Sequence, residues 1–99
     1  MKTKEKMKET VVRVEERESE GFAYTYKLTV NESRRLSSFG IPLYSVNITM
    51  SGLEMGTTSA TAREIFSDAG AAIDFFEKAV RNLATPIDLP YVIEDELGK

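Results

Sequence analysis

The chain has no cysteine, no histidine and no tryptophan among its 99 residues, and only three prolines. Without cysteine there is no disulfide, no thiol nucleophile and no thiolate metal site. Without histidine the commonest general base is missing, along with the usual serine-triad and cysteine-dyad chemistries and nearly all zinc sites. No apolar run approaches the roughly 20 residues of a membrane-spanning helix. The opening MKTKEKMKETVV has lysines but not the apolar stretch of roughly 7–15 residues that a signal peptide carries. The expected location is therefore the cytoplasm. Asn31-Glu32-Ser33 and Asn47-Ile48-Thr49 fit the glycosylation pattern, which has no weight without export. A net charge of −3 argues against bulk nucleic-acid binding, which needs a basic excess on one face.

What is present suits a small soluble domain. The hydrophobic fraction is 41% and the charged fraction 29%, ordinary values for one modest core. Residues 1–9 alternate lysine and glutamate with little to bury and read as a flexible terminus; residues 10–98 read as a single α+β domain. Val12 and Val14 alternate with Arg13 and Glu15, the period of a strand, with Val11 left on the polar side. Glu16–Gly21 reads as a turn with Gly21 at positive φ. Phe22, Tyr24, Tyr26, Leu28 and Val30 then alternate with Ala23, Thr25, Lys27 and Thr29, the cleanest strand in the chain. Ile41–Met50 resumes the pattern, with Tyr44, Val46, Ile48 and Met50 on one face and Pro42 at its start. Glu54–Arg63 is expected to pair back as a fourth strand, with Thr58, Ala60 and Ala62 facing in and Gly56 marking a bulge.

The strongest local signals lie between Ser67 and Leu97. Ser67 stands where a helix cap belongs, with Asp68 favourable at the positive end of the dipole. Ala69, Ala72, Ile73, Phe76, Ala79, Val80 and Leu83 recur at three- and four-residue steps along one helical face. Asn82 can take the left-handed conformation that closes a helix, and Pro86 bars continuation. A second, shorter helix starts at Asp88, or one turn earlier at Thr85-Pro86, and buries Leu89, Val92, Ile93 and Leu97. The expected architecture is ββββαα: a four-stranded antiparallel sheet from two hairpins, with both C-terminal helices packed on one face.

No stretch carries a specific chemical motif. Glu15, Glu16, Glu18 and Glu20 lack the ligand spacing of a calcium loop and read as a solvated hairpin end. Gly56-Thr57-Thr58-Ser59 lacks the second glycine and the lysine of a phosphate-binding loop. Arg34 and Arg35 are adjacent in a polar connection and read as solvent-exposed rather than as an anion site. The Tyr24/Tyr26 stripe is a core face before it is a stacking platform, with the two hydroxyls able to reach a rim.

Ser38-Phe39-Gly40-Ile41 at a strand start, then Arg81-Asn82-Leu83-Ala84-Thr85-Pro86-Ile87-Asp88-Leu89, then Val92-Ile93-Glu94-Asp95-Glu96-Leu97, resemble a small family of uncharacterised proteins from anaerobic Gram-positive bacteria. That family is known as a domain of unknown function. The resemblance covers about residues 22–97 and is most specific over residues 81–97; Pro42 departs from it, standing where the family more often has an acidic or polar residue. It supports the element boundaries and implies no activity.

The sequence is therefore read as a non-enzymatic cytoplasmic interaction or regulatory module, with no catalytic, cofactor or metal residues. Its partner is expected to be a protein or a second copy of itself, not nucleic acid or membrane. The contact surface is expected at Leu89, Tyr91, Glu94 and Asp95, where apolar side chains stand beside an acidic run. The alternative is a small-molecule-binding domain or minimal enzyme using Tyr24, Tyr26, Arg34 and Arg35 with a carboxylate as base.

Overall fold

A computed structural model describes residues 8–32, 42–52 and 56–97. Its order is β1 (Lys8–Ser19), β2 (Phe22–Glu32), β3 (Leu43–Gly52), β4 (Gly56–Phe66), α1 (Ala69–Arg81) and α2 (Leu89–Leu97). The four strands form one antiparallel sheet in the order β1-β2-β3-β4, and the helices follow, as the sequence pattern predicts. Residues 1–7 of the expected flexible terminus, the Arg34-Arg35 pair and the Ser38–Ile41 strand start lie outside the described residues, whereas Lys8 and Glu9 of that terminus open β1, paired with Glu32 and Asn31.

The alternation in β2 and β3 sets the core. Tyr26 is paired with Ile48 and Leu28 with Val46, and all four side chains are fully buried on one face. On the next strand Ala62 and Ala60 stand opposite Val46 and Ile48, small enough to let a helix approach closely. From α1, Ala72, Phe75, Phe76, Ala79 and Val80 descend onto this surface. Phe75, absent from the expected stripe, packs its ring 5.4 Å from that of Phe66, while Ala69 is exposed. The helix lies across β2, β3 and β4, and α2 sits against β4.

Neither helix makes extensive contact with β1. Among its side chains from Glu9 to Ser19, only Val12, Glu15 and Ser19 are even half-buried. The expected Val12/Val14 core face is corrected here by a bulge between Val11 and Arg13. An extra residue in one strand reverses the facing of everything beyond it. Val11 pairs with Thr29 and Val14 with Lys27, so both valines lie on the open face, 51% and 46% exposed. Arg13, Glu15 and Arg17 instead stand opposite Leu28, Tyr26 and Tyr24, on the side that carries the helices.

The strand also runs further than expected. Ser19 pairs with Phe22, leaving a two-residue turn at Glu20-Gly21 with φ of 52° and 84°, the mirror-image turn whose twist suits a hairpin. At the start of β2 the Phe22 ring lies over Gly52, where a Cβ would stand 2.7 Å from it; the glycine gives the ring its seat. The expected bulge at Gly56 is found instead at the other end of β4. There Glu64 takes φ of 52°, its N–H donates to Ser45 Oγ at 2.8 Å, and its carboxylate accepts from the Asn31 amide at 3.1 Å.

The uncovered face of the sheet satisfies itself. The Asn47 amide donates to Ser59 Oγ, the Ala60 carbonyl and Thr61 Oγ1 at 3.1, 3.1 and 2.8 Å, and Thr49 Oγ1 donates back to Asn47 Oδ1 at 3.1 Å. Short polar side chains bonded across strands make a surface that needs no second layer.

Candidate interaction surface

The geometry of α2 is fixed from its start. The Thr85 N–H donates to Asp88 Oδ2 at 3.1 Å and the Asp88 N–H donates to Thr85 Oγ1 at 3.2 Å, a reciprocal capping box. The helix itself begins at Leu89, directly after Asp88, the later of the two expected starts, and the Thr85–Asp88 pair braces the turn that leads into it. Pro86 follows Thr85, where a missing N–H costs nothing. Upstream, Ser67 is not the cap of α1: Asp68 is, accepting from the Ala71 N–H at 2.8 Å. The close of α1 is also displaced by one residue. Leu83, not Asn82, has the left-handed φ of 52°, and the Ala84 N–H reaches back to the Ala79 carbonyl at 3.0 Å, the reverse turn that seals a helix end.

This linker is anchored beneath by Tyr26. Its hydroxyl donates to the Ala84 carbonyl at 2.9 Å from a fully buried position, so it does not reach a rim. Burial pushes its pKa up to about 12; the neighbouring Tyr24 and Asp88 push the same way and Arg17 opposes. The Tyr24 and Tyr26 rings stack with centroids 6.3 Å apart, and both are core side chains.

The four expected surface residues divide. Leu89 is 2% exposed and belongs to the core, which removes it from any contact surface: at the first turn of α2 it faces the sheet. Tyr91 is 68% exposed, and Glu94 and Asp95 are exposed with it on the outward side of the helix. Ile87, which sequence reasoning passed over, is 70% exposed in the turn that leads into α2. Glu96, third of the acidic run, turns the other way and reaches Lys78 on α1 at 3.6 Å. The exposed surface here is thus Ile87 in the turn before α2 and Tyr91, Glu94 and Asp95 on the helix: two large apolar side chains followed by two carboxylates.

The other candidates do not assemble. Glu15 lies on the helix side of the sheet, Glu16 and Glu18 alternate away from it, and Glu20 sits in the turn. Among the described residues no group of three acidic side chains converges as a metal site requires. An open depression at the end of the sheet is lined by the Glu18–Ala23 hairpin with Ser51 and Gly52, away from Tyr24 and Tyr26. Among the described residues no helix is long and apolar enough to cross a membrane.

No curated protein and no solved structure matches the chain. A family profile does, over residues 4–99, a wider span than the resemblance over residues 22–97. The match covers both hairpins as well as both helices, and on that extent the chain belongs to the family of unknown function DUF6514.

Proposed function

We propose that this chain is a non-enzymatic protein-interaction module whose contact surface is the outward side of α2. The carrying observation is the pair Ile87 and Tyr91, 70% and 68% exposed, one in the turn that the Thr85–Asp88 hydrogen bonds close and the other on the first turn of α2. Large apolar side chains in solvent on an ordered element are typical anchors of a binding surface. Glu94 and Asp95 beside them select the partner: a protein segment in which lysine or arginine flanks an apolar residue. The lack of histidine and cysteine supports a role without catalysis. A cytoplasmic setting is part of the proposal, supported by a sequence without cysteine or a long apolar run.

Selection of displayed random peptides on the purified protein tests this. The expected outcome is enrichment of peptides that combine basic and apolar residues. Binding of those peptides should be lost in the double variant Ile87→Ser, Tyr91→Ser and switched toward acidic peptides in Glu94→Lys, Asp95→Lys, with melting temperatures unchanged. Peptides that bind all three proteins equally, or no enrichment, would remove this surface from consideration.

A further inference from the structure

We infer that β1 is a self-pairing edge, through which two copies of this chain join their sheets into one of eight strands. Among the described residues strand β1 bonds to β2 along one side only, it is left largely uncovered by the helices, and it holds two exposed valines on the open face. Exposed edges are normally blunted by charge, and β1 does carry Arg13, Glu15, Glu16, Arg17 and Glu18. The order of those charges is what makes the edge selective.

In an antiparallel pair of identical strands, a two-fold axis stands perpendicular to the sheet, and residues directly opposite share a face. Centred on Val14, the pairing sets Val14 against its own copy on the open face. It also sets Arg13 opposite Glu15 twice, on the helix side. Centring on Arg13, Glu15 or Glu16 sets that residue against its own like charge; the Glu15 register further opposes Arg13 to Arg17, and the two Glu15–Arg17 pairs of the Glu16 register only replace one that each copy already makes. Cross-strand like charges destabilise and opposite charges stabilise, so one register is favoured and its neighbours are penalised. Within one copy Glu15 already accepts from Arg17 at 3.1 Å, whereas Arg13 reaches only the Val12 carbonyl at 3.5 Å and makes no ion pair with a described residue. The second copy supplies the acid that Arg13 lacks.

The other edge is a poorer candidate. Residues 56–62 of β4 have no charge to fix a register, and α2 lies against that strand.

Sedimentation equilibrium over a concentration series, on the full chain, is the first measurement. Wild type should self-associate as a dimer. Arg13→Glu alone and Glu15→Arg alone should each weaken the dimer about tenfold, and the double variant Arg13→Glu, Glu15→Arg should restore it. A fold defect would not be repaired by such a swap. Because the chain has no cysteine, Val14→Cys should give a disulfide-linked dimer in mild oxidant, while Ser59→Cys on β4 should not. A monomer at every concentration would overturn the inference, as would a dimer indifferent to the swaps or equal cross-linking at both cysteines. Each outcome is independent of the peptide selection, since α2 is untouched.

Discussion

Strands β1 and β2 are paired from end to end, yet their side chains have opposite fates. On β2, Tyr24, Tyr26 and Leu28 are buried; on β1, most of the side chains stand in solvent. The ladder is common to both, so the difference comes from the helices. α1 crosses β2, β3 and β4 and stops short of β1. Stability is therefore concentrated in the middle of the sheet and α1, and the free edge holds surface that folding does not consume.

Substitutions sharpen that contrast in a graded way. Phe76 is almost wholly buried, and Phe76→Ala should cost about 3–5 kcal/mol, read as a lower urea midpoint. A wild-type midpoint would contradict the packing of α1 on the sheet. Next comes Tyr26. Its pKa lies at about 12 in the fold against 10.0 when unperturbed, so the unfolded chain loses this proton first. The stability it contributes is complete below about pH 10 and falls between there and pH 12, by about 2–3 kcal/mol. Tyr26→Phe should cost about 1–3 kcal/mol at neutral pH, because the Ala84 carbonyl loses its buried donor. It should also flatten the alkaline decline, and an unchanged alkaline profile in that variant would show that Tyr26 is not its source. Smallest is Val14→Thr on the uncovered strand, expected within about 0.5 kcal/mol of wild type when measured at monomeric concentration. A loss comparable to that of Phe76→Ala would mean that β1 is covered after all.

The fold was readable wherever a side-chain period ran unbroken. Phe22–Val30 alternates without fault, and the helical stripe from Ala72 to Val80 needed only Phe75 added. What escaped were features that one inserted or displaced residue controls. The bulge at Val12 reverses Val14, and no signal in Thr10-Val11-Val12-Arg13-Val14 distinguishes a straight strand from a bulged one. The left-handed residue closing α1 is a leucine, where asparagine is the better former. The candidate surface was half legible: the acidic and aromatic residues stand out in sequence, but whether Leu89 faces solvent or the sheet depends on the phase of α2. The capping box sets that phase, and it required seeing Thr85 and Asp88 as one unit.

The bulge at Val12 also bears on how far assembly can go. A straight, flat edge offers every register and both ends for addition, which is how strands recruit neighbours without limit. An edge broken near Val12 presents one short regular run with a single centre of symmetry. A contact that uses its own symmetry axis is used up once two copies have met. The extra residue would then act as a counter, permitting a pair and halting growth at that number.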